Sequence, residues 1–203
     1  MFGIDFPVVS TGNLFTSIDG YVANGTGNIN GTSTLTNGGY NTPGALYAAP
    51  LPQGLGVAAK GVGSSPFVKY VRYNPTASQA ILTGPALVYW KDVSRTVVTP
   101  LQSEAVFAGP NAIAGWLMYN TTSKAGATAA DINGNWCFIF VGGYLPQAVA
   151  VVNTAVGDVL IGGATAFTPA RIAANAAITN VIAGIAQGAV ANGLADVYVP
   201  LLN

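Results

Sequence analysis

This sequence predicts a mainly β chain: a small β-sandwich or barrel preceded by a long loop-rich N-terminal arm, with at most one short helix. Three observations carry the expectation. From Phe67 onward, short β-branched and aromatic runs alternate with turn-formers at the spacing of a sandwich or barrel. Between Gly20 and Gly63, Asn-Gly, Pro-Gly and Gly-Gly pairs are too dense to leave room for a long helix. The 203 residues are 51% apolar and only 7% charged, against roughly 25% charged in an ordinary soluble domain, which is enough apolar material for a sizeable core.

The elements follow in order. Residues 1–66 form the arm and 67–203 the β-rich domain. The arm runs through Asn24-Gly25-Thr26-Gly27-Asn28, Asn30-Gly31-Thr32-Ser33, Asn37-Gly38-Gly39, Pro43-Gly44, Pro50 and Pro52, with Lys60 as the one charge between Gly20 and Gly63. It lacks the high net charge of solvated disorder, and it offers isolated apolar anchors: Tyr21, Leu35, Tyr40, Leu46, Tyr47 and Leu51. Three readings of the arm stay open: a wrap over the chain's own domain, an arm that orders against a partner subunit, and a flexible linker. In the domain, strands are expected at 67–73, 86–91, 95–99, 104–107, 114–119, 135–141, 144–152, 158–161, 181–186 and 195–202. Turns belong at Asn74-Pro75, Gly84-Pro85, Gly109-Pro110, Asn133-Gly134, Gly142-Gly143 and Asn192-Gly193. One helix is suited to residues 168–178, where Thr168 could cap, Pro169 could open the first turn and a run of alanines follows.

Composition excludes several function classes. Seven Lys and Arg balance seven Asp and Glu, and the cations are scattered rather than clustered, so no nucleic-acid partner is expected. The chain has no His, which removes the commonest general base, the commonest zinc ligand and every Ser-His or Cys-His nucleophile pair. Cys137, the single cysteine, can form neither an intrachain disulfide nor a CxxC pair, and it reads as a buried strand thiol. Met1–Pro7 lacks the basic and continuous apolar regions of a signal peptide. The most apolar stretches, 136–152 and 172–191, are interrupted by Gly, Pro, Gln and Asn, so no membrane span is expected.

No motif supplies chemistry, and neither a catalytic residue, a metal site nor a cofactor is expected. Asp131-Ile132-Asn133-Gly134-Asn135 starts like a calcium loop, but Trp136 and Gly142 stand where the loop needs Gly and Glu; a turn between strands is the better reading. The carboxylates are at least 12 residues apart in sequence, so no local pair serves acid–base work. Gly54-Leu55-Gly56 and Gly61-Val62-Gly63 lack the rest of a dinucleotide fingerprint. Asn24, Asn30 and Asn120 match the glycosylation acceptor pattern, as chance allows in a chain so rich in Asn and Thr. Trp90, Trp116 and Trp136 could stack on a sugar, but each lies in an apolar run that favours the core.

The last third reads Ala148-Val149-Ala150-Val151-Val152, then Val156-Gly157-Asp158-Val159-Leu160-Ile161-Gly162-Gly163, then Val181-Ile182-Ala183-Gly184-Ile185-Ala186-Gln187-Gly188-Ala189, and finally Ala195-Asp196-Val197-Tyr198-Val199-Pro200-Leu201-Leu202. This order resembles the tailed-bacteriophage head decoration, or capsid cement, proteins. Their small β domains alternate a Gly-Asp-apolar strand, an apolar-Gly-apolar-Ala strand and a closing apolar strand. Residues 1–66 have no counterpart in that pattern, and the Ala-rich 168–178 segment is longer than it requires. The resemblance implies a non-enzymatic virion protein on the capsid exterior, with the major capsid protein and further copies of itself, as a homotrimer, for partners. The rival expectation is a tail or receptor-binding module that grips glycans through aromatic residues.

Overall fold

The computed structural model describes residues 44–48, 67–76, 85–108, 112–117, 136–174, 176–178 and 182–202, with backbone alone at 47–48 and 136–138. Among the described residues there are ten strands: β1 (Leu46–Ala48), β2 (Phe67–Tyr73), β3 (Ala86–Trp90), β4 (Val97–Thr99), β5 (Ile113–Leu117), β6 (Trp136–Val149), β7 (Val159–Ile161), β8 (Ala170–Ile172), β9 (Ile182–Ala186) and β10 (Leu194–Val199). The one helical element that lies wholly within the described residues is the 3₁₀ turn Gln102–Glu104, and no helix among them is long and apolar enough to cross a membrane. The mainly β expectation therefore holds.

Five strands close on themselves. β2 pairs in parallel with β4, and β4–β3, β3–β5, β5–β6 and β6–β2 are antiparallel, which completes a small barrel. Closure leaves those strands without a free edge. A second sheet runs β6–β10–β9–β7–β8. The 14-residue β6 belongs to both, pairing with β2 over its first half and with β10 over its second.

Gly142-Gly143, expected as a turn dividing two strands, is instead the point where β6 passes from barrel to sheet. Gly143 takes φ +109°, and Gly142 lies where an added Cβ would press on Leu201 and Phe67. The β2–β6 register shifts beside Gly142. Glycine here bends a continuing strand rather than reversing it. Four residues on, the pairs Leu145↔Val197 and Ala148↔Ala195 leave Pro146 and Gln147 opposite the single residue Asp196. That is a β-bulge, with Gln147 at φ +50°, and Pro146, which has no N–H to give a ladder, suits it.

The burial of each strand follows from what covers it. β3 (Ala-Leu-Val-Tyr-Trp) and β5 (Ile-Ala-Gly-Trp-Leu) are buried at every position, because barrel strands have an interior on one face and the second sheet on the other. β10 alternates, with Ala195, Val197 and Val199 buried and Tyr198 exposed, the pattern of a sheet with one wet face. The core runs continuously from Val68, Val88, Leu117 and Ile139 in the barrel to Leu160, Ala183 and Val197 in the sheet. Trp116 joins the halves, its Nε1 donating to the carbonyl of Ala183 at 3.0 Å. Tyr89 joins them again, its hydroxyl donating to the Gly163 carbonyl and accepting from the Gly163 N–H.

Two further expectations are corrected. The described residues of 168–178 form no helix: Ala170–Ile172 is β8, in register with β7 through Leu160↔Arg171. A run of alanines buries too little side-chain area to hold an isolated short helix, whereas a strand here gains the β7 ladder and the Arg171–Asp158 ion pair at 2.9 Å. The strand expected at 104–107 is also absent, since the chain coils through the 3₁₀ turn and the Val106 N–H donates to the carbonyl of Trp90. Glu104 draws that segment inward, as described next.

Candidate interaction surface

The described carboxylates act as clamps within the fold. Glu104 accepts from the Thr99 hydroxyl at 2.6 Å and from the Thr76 N–H, and pairs with Lys91 Nζ at 3.1 Å. Burial works against its ionisation, but these donors together outweigh it and leave its pKa below the usual carboxylate value. Asp158, buried at the start of β7, accepts from the N–H groups of Ala155 and Ala174 and from Arg171. The Ala155 hydrogen bond leads in holding its pKa low, against desolvation and with help from Ala174 and Arg171. One side chain thus ties the loop before β7 to the segment after β8.

Asp196 clamps the bulge. It accepts a short hydrogen bond from the Tyr144 hydroxyl and another from the Gln147 N–H. The Tyr144 pKa is raised, first by desolvation and then by its carboxylate partner. A cavity of about 280 Å³ opens beside this clamp, lined by Gln147, Gly188, Ala189, Asn192, Leu194 and Asp196 among others. Among the described residues, no three His, Cys, Asp or Glu side chains come together as metal ligands would.

Of the anchors read from sequence, Leu46 is partly buried and packs against the core. It sits on β1, which pairs antiparallel with β2 of the same chain through Leu46↔Lys69, Tyr47↔Val68 and Ala48↔Phe67. Gly44 extends that pairing by donating to the carbonyl of Tyr70 at 2.7 Å. The Leu46–Ala48 portion of the arm therefore lies on its own domain. Tyr21, Leu35, Tyr40 and Leu51 lie outside the described residues, as do Asp131–Asn135 and the Asn24, Asn30 and Asn120 sequons. Cys137 falls on β6 opposite Val71. Trp90 and Trp116 have no exposed surface, so neither ring is open to a sugar.

What the surface does offer is aliphatic. Val152 and Val156 are 76% and 65% exposed, in the loop between β6 and β7, and Ile178 is exposed beyond β8. The loops at this end are held together: the Val190 N–H donates to the Thr154 carbonyl, and Gly157 lies against Ala174. The charged residues among 150–157, 171–178 and 187–193 reduce to Arg171, which is already paired. A surface of this kind binds by apolar burial, worth about 1.5 kcal/mol or more for each valine fully covered, rather than by charge.

The sequence missed the carboxylate clamps because each joins residues far apart in the chain. Its one available signal was the Gly-Asp-apolar start of β7, where an Asp opening a strand is placed to accept loop N–H groups. No family model, curated protein or solved structure matches this chain.

Proposed function

We propose that this chain is a non-enzymatic structural virion protein that binds the outer surface of an assembled phage capsid and stabilises it. The major capsid protein is its partner, and it acts as a homotrimer. One observation carries the reading. The four segments that resemble the head decoration proteins, which follow one another between Ala148 and Leu202, supply the end of β6 and strands β7, β9 and β10, all members of one sheet. That the resembling segments share one sheet is what supports the reading. The charge-poor aliphatic loops at the edge of that sheet suit a contact with a repeating protein surface. A binder of the assembled lattice that ignores free subunits shifts the equilibrium towards the shell by mass action, and repeated contacts add avidity.

The test is reconstitution. Purified protein is added to particles of the encoding phage that lack it, and binding is followed by co-sedimentation and cryo-electron microscopy. Density on the shell exterior, absent with free capsid subunits, together with a higher rupture temperature, is the expected result. Failure to bind shells, or binding confined to the tail, overturns the reading.

A further inference from the structure

The bulge that Asp196 clamps borders the cavity of about 280 Å³, and two of the residues around that cavity carry side chains the fold does not use. Gln147 and Asn192 both line it, and neither side-chain amide has a hydrogen-bond partner among the described residues. Both backbones are left-handed, with φ +50° at Gln147 and +53° at Asn192. Asn adopts this conformation readily, whereas Gln does so at a cost that glycine would avoid. The fold thus holds a strained glutamine at the cavity wall with no internal side-chain bond to offset the strain, and strain of this kind collects where a ligand is gripped.

The wall is fixed on every side. Asn192-Gly193 is a two-residue turn with φ +53° and +76°, the left-handed pair that a type I′ hairpin requires. Reciprocal hydrogen bonds between Ala191 and Leu194, at 2.8 and 3.0 Å, close it. Across the cavity, the Gln147 N–H and the Tyr144 hydroxyl donate to the two carboxylate oxygens of Asp196, and the Gln187 N–H donates to its carbonyl at 2.7 Å. A carboxylate has about four acceptor positions, so Asp196 can be held in this way and still receive a ligand hydroxyl. Little ordering is left for a ligand to impose.

The lining selects the chemistry of that ligand. It offers two carboxamides, which donate and accept, one carboxylate, which accepts, and the small apolar surface of Gly188, Ala189 and Ala191. A phosphate or carboxylate would meet the Asp196 charge with no Lys or Arg in the lining to offset it. A wholly apolar molecule would strip water from the amides and give nothing back. A sugar ring answers both demands, with hydroxyls for the amides and the carboxylate and a C–H face for the alanines. The volume, at the small end of ligand pockets, suits one ring. Two residues beyond Asp196, on the same wet face of β10, Tyr198 is 43% exposed and offers a ring for stacking. We infer that this cavity binds one neutral sugar residue, free or at the end of a glycan, through Gln147, Asn192 and Asp196. The site owes nothing to Trp90 and Trp116, whose rings are buried, and it stands whether or not the capsid reading does.

The experiment uses the full chain in solution. Glucose, galactose, mannose and N-acetylglucosamine are each titrated against it and followed by saturation-transfer NMR, with glucose 6-phosphate and Nα-acetyl-lysine amide as the anionic and cationic probes. Transfer to at least one of the four neutral sugars is expected, and a weaker signal from both charged probes. Gln147→Gly and Asn192→Gly remove the amides while suiting the left-handed backbone, so each should melt no lower than the parent. Each should nevertheless bind the sugar about fivefold more weakly, the worth of one neutral hydrogen bond. A side chain that served the fold alone would instead lower the melting temperature when removed. No transfer to any neutral sugar, a stronger signal from either charged probe, full binding by either variant, or a loss of binding that comes with a lower melting temperature overturns the proposal.

Discussion

The barrel and the second sheet are built on the same strand yet packed by different means. The barrel side fills space with large rings, for Tyr70, Tyr73, Tyr89, Trp90, Trp116 and Phe140 are all fully buried. The sheet packs close with small side chains: Ala183, Ala186 and Ala195 are buried in it, and Gly184 lets the side chain of Val197 occupy the volume where a Cβ would stand. A closed barrel has a fixed interior that must be filled to native density. A sheet laid against it gains most by approaching closely. One half is therefore vulnerable to losing atoms and the other to gaining them.

That contrast can be broken from either side. The largest effect is expected from Trp116→Ala, which empties the boundary between the halves and leaves the Ala183 carbonyl without its donor; about 3–5 kcal/mol should be lost in urea unfolding. Val197→Ala, which removes only two methyl groups on the sheet side, should cost about 2 kcal/mol. A loss at Trp116 no larger than that at Val197, despite the far larger side chain removed, would show that the barrel side collapses around its cavity and is not held to a fixed interior. Gly184→Val probes the opposite vulnerability: the added side chain meets Val197 and the Tyr198 carbonyl and should cost about 1–3 kcal/mol through overpacking. Because β6 is common to both halves, each variant should still unfold in one transition. A second transition would reveal a sheet that melts alone.

A smaller effect distinguishes the clamps of the two halves by pH. Glu104 serves the barrel and Asp158 the sheet, and both titrate below the ordinary carboxylate range when folded. Their stabilisation is complete above the unfolded pKa of about 4 and is lost as pH falls through the lower folded values, since the unfolded chain then takes up protons first. Stability should thus be level from neutral pH to about 5 and decline below it. Asp158→Asn should reduce both the neutral-pH stability and the acid slope. An unchanged slope would assign the acid sensitivity to Glu104.

The smallest effect is an expected constancy. If the aliphatic loops of the sheet make the capsid contact, particles should retain the protein from about 0.05 M to about 1 M NaCl, a range over which the screening length falls to roughly 3 Å. Release by moderate salt would show that ion pairs, and not the aliphatic loops of the sheet, hold the protein on the shell.

The sequence by itself determined the class of fold and most of its strands. β-branched and aromatic runs such as Phe67–Tyr73 and Ala86–Trp90 have no other economical conformation, and the buried positions of Trp90 and Trp116 were legible from their apolar neighbours. It also excludes any site built on His or on a pair of cysteines, since the chain has no His and one Cys. Tertiary structure decided the rest. Gly142-Gly143 reads as a turn in any local window, and only the simultaneous demands of β2 and β10 make it a bend within β6. Thr168–Ile178 reads as a helix until β7 offers a ladder and Asp158 an ion-pair partner. Lys69 and Arg95, 26 residues apart in sequence, come near one another only once β2 and β4 lie parallel. Local preferences are worth tenths of a kcal/mol per residue, whereas a strand ladder, a buried ion pair or a closed barrel sums many contacts between distant residues, and such sums prevail wherever the local signal is weak.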